Sequence, residues 1–234
     1  KGAADKARGK LFNKIARQLE VAARDGGGDP ASNATLRTVM QKAKAAQMTN
    51  DAIDRAVKRG TGEGDAGTYE AIMYEGYAPG GVAMMIDVLT DNRNRTGSEV
   101  RNIFSKLGGS MAEPGAVGWQ FSRKGVIAVN GGDEDTVMMT ALEAGAEDVA
   151  ADGDGWRVTT EAASVYEVRD ALQASGIEVT SAESTMVSSL SVEVTDADDA
   201  RKILRIMDAL EDNDDVQDVY ANFDISDEII AQLG

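Results

Sequence analysis

Residues 125–187 switch between a two-residue and a 3.6-residue apolar period in a fixed order, and that order leaves few folds open. GVIAV (125–129) alternates as a strand, and residues 133–144 carry helical spacing. AEDVA (146–150) and WRVTT (156–160) flank Asp152-Gly153-Asp154-Gly155, a hairpin signal. Residues 161–175 are helical again, and 179–187 return to strand. The succession β-α-β-β-α-β is the ferredoxin-like pattern. The flanks hold the same pattern in halves: strand 82–89, helix 95–107 and strand 117–121 before it, and strand 190–194, helix 196–210 and strand 216–225 after it. One ferredoxin-like domain inserted in another satisfies short, right-handed connections. The expected fold class is therefore α+β, with domains at 1–62, at 68–122 plus 189–234, and at 124–188.

The first 60 residues read differently. Leu11, Ile15 and Leu19 recur every four residues with Phe12 alongside, and Gly26-Gly27-Gly28-Asp29-Pro30 stops that helix. A second helix over 33–47 turns Leu36, Val39, Met40 and Ala43 inward. A third, capped by Thr49 or Asn50, carries Ile53 and Val57 and ends at Gly60 behind Lys58 and Arg59, where cations suit the helix dipole. Such a bundle has a thin core, so it is expected to dock on the body. Residues 61–67 are a Gly-rich joint. Their G-x-G-x-x-G string follows a helix and holds Glu63 and Asp65, which would repel a pyrophosphate.

Composition matters chiefly through charge. The formal net charge is -16, but 13 of the 24 Lys+Arg and 6 of the 40 Asp+Glu fall in residues 1–60, leaving +7 there and -23 elsewhere. A cationic end on an anionic body points to a polyanion partner held on one face. Lys1, Lys6, Arg8, Lys10, Lys14 and Arg17 are the leading phosphate candidates, with Arg8, Lys10, Lys14 and Arg17 along about one helical face; Lys42, Lys44, Lys58 and Arg59 come second. Thr90-Asp91-Asn92-Arg93-Asn94-Arg95-Thr96 joins a strand to a helix, so Arg93 and Arg95 either hold a phosphate or pair with neighbouring acids while the amides cap the helix. With only 11 aromatic residues and no K/R-G-F-x-F-like strand, base stacking of the RNA-recognition-motif kind is not expected.

Cysteine and histidine are absent, which removes disulfides, Cys/His zinc sites and His-based catalytic sets within this chain. No P-loop is present, and the Asp196 and Asp212 clusters lack the spacing of a calcium loop. A non-enzymatic, cytoplasmic protein without cofactor, metal or membrane partner is expected.

Specific strings carry a resemblance. DKARGKLF (5–12), residues 33–48, IDRAVKRG (53–60), YEAIMYEGYAPGG (69–81), LTDNRNR (89–95), residues 108–121 and FSRKG (121–125) together resemble the YebC/PmpR family, whose eukaryotic relative is the mitochondrial translational activator of cytochrome c oxidase subunit I. The resemblance spans essentially the whole chain. It implies a helical N-terminal domain and two α+β domains, one inserted in the other. It also implies a short segment ahead of Lys1 with a Gly-His-Ser-Lys-Trp string. Two functions are implied: a DNA-binding transcriptional regulator, or a ribosome-associated translation factor that contacts ribosomal RNA and relieves stalling at proline-rich stretches. Both would use the basic helical end.

Overall fold

The computed structural model describes residues 2–63 and 68–234, and the chain forms two compact units, Lys1–Val117 with Val192–Gly234 and, inserted in sequence, Gly118–Ser191. Most of residues 61–67, the expected joint, lies outside the described residues. None of the described helices is long and apolar enough to cross a membrane.

The first unit opens with α1 (Gly2–Gly26), α2 (Ala34–Ala45) and α3 (Asn50–Gly60). Their own core holds Ile15, Leu19, Leu36, Ala43, Ile53 and Ala56. Leu11, expected in that core, is 45% exposed, because the bundle core takes up α1 only from Phe12 onward. Gly27 stops α1 at φ +89°, a left-handed turn that glycine adopts freely. Asn33 then caps α2 by accepting from Leu36 N at 3.0 Å, and its amide donates to Ala22 O and Gly27 O, each at 2.9 Å. One buried side chain thus starts α2 and ties it to the end of α1. Thr49 caps α3, accepting from Ala52 N at 3.2 Å.

Gly60 sets how closely α3 crosses α1. A Cβ there would run into the Glu20 carbonyl and sit 2.9 Å from Ala23 Cβ. Gly60→Ala should therefore force the helices apart and destabilise the first unit by about 1–3 kcal/mol, read as a lower urea midpoint.

The rest of this unit is β1 (Glu70–Ala78), β2 (Val82–Thr90), α4 (Arg93–Lys106), β3 (Ser110–Ala112) and, after the inserted unit, β8 (Val192–Val194), α7 (Ala197–Asp212), β9 (Val216–Ala221), β10 (Phe223–Ile225) and α8 (Asp227–Leu233). The sheet order is β3-β1-β2-β9, antiparallel throughout. Val82, Met84, Ile86 and Val88 alternate along β2 and pack against Val100 and Phe104 of α4 and Ile203, Ile206 and Leu210 of α7.

This sheet departs from a split ferredoxin-like one. β1 stands between β2 and β3, and β8 leaves the sheet to pair in parallel with β10. The cause is local: Gly80 and Gly81, at φ +83° and +78°, close a hairpin that pairs β1 with β2 over its full length. A nearby partner costs less loop entropy than one some hundred residues away. Nor is 117–121 a strand. It holds a 3-10 turn at Gly118–Gln120, and the edge strand lies instead at Ser110–Ala112. The buried Glu75 carboxylate holds this loop, accepting from Gly115 N at 2.6 Å and Val117 N at 2.9 Å.

The inserted unit runs β4 (Phe121–Val129), α5 (Glu134–Glu143), β5 (Asp148–Asp152), β6 (Gly155–Glu161), α6 (Val165–Ala174) and β7 (Val179–Ser188). Its sheet order is β5-β6-β4-β7, all antiparallel, as in a ferredoxin-like fold. Ile127, Val129 and Val158 meet Val137, Ala141, Val165, Val168 and Leu172 of the two helices. β4 begins four residues before the predicted strand, at Phe121 instead of Gly125.

Candidate nucleic-acid interface

The basic residues of α1 divide by helical geometry. A four-residue step stacks side chains on one face, so Lys6, Lys10 and Lys14 form a stripe. That stripe faces the end of α7. Lys10 Nζ donates to Asp212 Oδ1 at 2.7 Å and to Asp212 O at 3.0 Å, and Lys14 Nζ donates to Glu211 O at 2.5 Å. The hydrogen bond from Lys10 holds the Asp212 carboxyl below its ordinary range, and the same bond raises the Lys10 ammonium. Burial lowers Lys14, against the nearby carboxylates. A groove of about 470 Å³ runs along this contact, lined by Lys6, Lys10, Leu11 and Lys14 on α1 and by Asp208 and Glu211 on α7.

One turn further along α1, Arg17 enters a tighter network. Its Nη1 donates to Leu89 O at 2.7 Å and to Asp215 Oδ1 at 2.8 Å, and its guanidinium lies 4.4 Å from the centre of the Tyr69 ring. Asp215 is 4% exposed. Its other oxygen accepts from Thr96 Oγ1 at 2.7 Å and Arg95 Nη2 at 2.9 Å. Burial pushes the Asp215 carboxyl up, but the hydrogen bonds from Thr96, Arg17 and Arg95 outweigh it, and the group sits below its ordinary value. Gln18 Nε2 donates to Gln217 Oε1 at 2.8 Å beside it. These contacts dock the bundle on the sheet.

The 90–96 loop serves the same dock. Asn92 caps α4 by accepting from Arg95 N at 3.1 Å, and Arg95 reaches Asp91 as well as Asp215. Arg93 lies 3.2 Å from Glu70. Of the two readings of this loop, capping with the arginines paired is what the structure contains.

The expected phosphate set is thus split. Lys10, Lys14, Arg17, Arg93 and Arg95 have partners within the chain, and Arg59 lies 3.6 Å from the buried Glu20. Lys42 makes one long contact, 3.3 Å, to Gln18. Lys6, Arg8, Lys44 and Lys58 are exposed and form no ion pair among the described residues, and Arg8 covers its neighbour Phe12 at 5.5 Å. Lys1 lies outside the described residues. Sequence reasoning missed Asp215 as the hub, since nothing local marks it among Asp212-Asn213-Asp214-Asp215. Among the described residues no group of three or more Asp and Glu side chains is placed to hold a metal ion.

Comparison with known proteins gives a consistent set of matches. Residues 1–63 match the model of the TACO1/YebC protein N-terminal domain, and residues 69–223 match that of the TACO1/YebC second and third domain. The chain is 56% identical over 236 residues to a protein of Rubrobacter xylanophilus, covering 100% of this chain and 94% of that protein. It is 52% identical over 236 residues to one of Mycobacterium tuberculosis, with the same coverage. Both carry the name "probable transcriptional regulatory protein". The crystal structure of a conserved hypothetical protein from Aquifex aeolicus matches at a TM-score of 0.79 and 43% identity, covering 95% of this chain and 93% of that one.

Proposed function

Because the chain belongs to the TACO1/YebC family, we propose that it is a non-enzymatic regulator of gene expression that binds nucleic acid through its helical bundle. The observation that carries this reading is the placement of unpaired charge. Lys6, Arg8, Lys44 and Lys58 stand exposed on α1, α2 and α3, on a chain whose other 174 residues are strongly anionic. Lysines and arginines without carboxylate partners bind phosphate, and phosphate contacts bring affinity with little sequence information. The name of the relatives, probable transcriptional regulatory protein, supports the transcriptional form of this reading; in that form the bundle would bind DNA in the cytoplasm.

The anionic remainder favours a second form of the same reading. A body of net charge -23 is repelled by any phosphate lattice it approaches, so contact is confined to the bundle. That suits a factor seated by one end on ribosomal RNA, relieving stalls at proline-rich stretches. In-cell crosslinking, with co-purified DNA and RNA both sequenced, separates the two. Discrete promoter DNA without ribosomal RNA establishes the transcriptional form. Ribosomal RNA near the peptidyl-transfer region establishes the translational one. Recovery of neither, over a charge-reversed bundle as background, refutes both.

A further inference from the structure

Residues 2–11 of α1 pack no side chain against the bundle core, which begins at Phe12, so about 15 Å of helix extends past the bundle. Ala3, Ala7 and Leu11 offer it no deep pocket, and it meets α7 through lysines and carboxylates at the rim of the groove. Lys10 bonds to an Asp212 whose side chain is 77% exposed, and Lys14 bonds only to the Glu211 carbonyl. Contacts of that kind hold weakly and weaken further as salt rises. The same three lysines, one per turn, are the row a phosphodiester chain would engage. The α7 end sets Asp208, Glu211 and Asp212 where phosphates would lie.

We infer that the acidic end of α7 is a built-in competitor for this groove: the Lys6–Lys10–Lys14 stripe is a phosphodiester-binding site, partly occupied in the free protein by the Asp212 carboxylate on Lys10 and the Glu211 carbonyl on Lys14, with Lys6 left open, and freed by a polyanion that engages several lysines together. The inference rests on the nucleic-acid reading above and adds to it a site and a threshold. A single phosphate exchanges for the Asp212 carboxylate on Lys10 and gains little. A chain of phosphates also engages Lys6 and Lys14, which no carboxylate holds among the described residues. Counterion release is also reduced, since the protein's own acids already neutralise part of the stripe.

The test uses the full chain with a fluorescent RNA hairpin and a DNA duplex, read by anisotropy across a salt series. Neutralising the competitor (Asp208→Asn, Glu211→Gln, Asp212→Asn) should tighten binding about threefold to fivefold and steepen the salt slope. Glu134→Gln on α5 makes a charge change of the same sign elsewhere and should leave affinity as it was. An equal gain per charge from Glu134→Gln would reduce the effect to net charge and overturn the inference. The chain has no cysteine, so spin labels at Ala4→Cys and Arg205→Cys report the groove directly. Saturating nucleic acid should lengthen the distance between the labels. Binding with an unchanged distance sinks the competitor alone; no binding by wild type or variant sinks the nucleic-acid reading with it.

Discussion

Replacing Asp215 by alanine should cost the first unit about 2–4 kcal/mol, the penalty for removing one member of a buried charge cluster, read by urea unfolding at neutral pH. The carboxylate is 4% exposed and receives Arg17, Arg95 and Thr96 from α1 and α4. Alanine leaves the Arg17 guanidinium, itself mostly buried, with only the Leu89 carbonyl and the Tyr69 ring. Arg95 loses less, since Asp91 and solvent remain to it. Asp215→Asn separates charge from shape. The folded-state carboxyl sits below its unfolded value, so its contribution is present above the ordinary carboxylate range and is lost as pH falls through the depressed value. Wild type should lose stability over that acid window, and Asp215→Asn, already weaker at neutral pH, should lack that limb of the profile. A variant with unchanged neutral stability and an unchanged acid limb would remove Asp215 from the centre of the dock.

What the sequence reveals of this fold follows the range of the interactions that decide it. The order of β4, α5, β5, β6, α6 and β7 is legible because apolar period, Gly-rich turns and hairpin spacing are local. Thr49 and Asn33 are legible as helix starts because a cap acts within three residues. β8 was misplaced because its partner is chosen by competition, and the hairpin glycines after Pro79 hand that place to β1. Leu11 fits the helical stripe yet stays exposed, because a period shows which face is apolar and not where along the helix the bundle core begins.

The site divides in the same way. Charge asymmetry and a thin core foretold a basic bundle docked on the body. They could not say which cations do the docking, since Arg17 and Asp215 are 198 residues apart. In sequence, Lys10 and Arg8 are equivalent members of a basic stretch; in space, one meets Asp212 and the other lies over Phe12.

That division designs the decisive test of binding. Reversing Arg8, Lys42, Lys44 and Lys58 to glutamate should weaken nucleic-acid affinity by at least about a hundredfold at moderate salt and flatten the salt slope by roughly one per contact removed. All four are exposed, and among the described residues their internal contacts are the long bond from Lys42 to Gln18 and the Arg8 guanidinium over Phe12, so the urea midpoint should hold. Arg17 would not serve this purpose: its loss unseats the bundle, and weaker binding would then report unfolding. Because phosphates are the target, the loss should be uniform across sequences; a loss confined to one sequence would mean base readout from these helices. The slope also identifies the polymer, since each neutralised phosphate contributes about 0.9 on duplex DNA and about 0.7 on a single strand. An unchanged slope in the reversed protein would take the contact away from these four cations, to the Lys6–Lys10–Lys14 stripe that the variant leaves intact or to a surface outside the bundle.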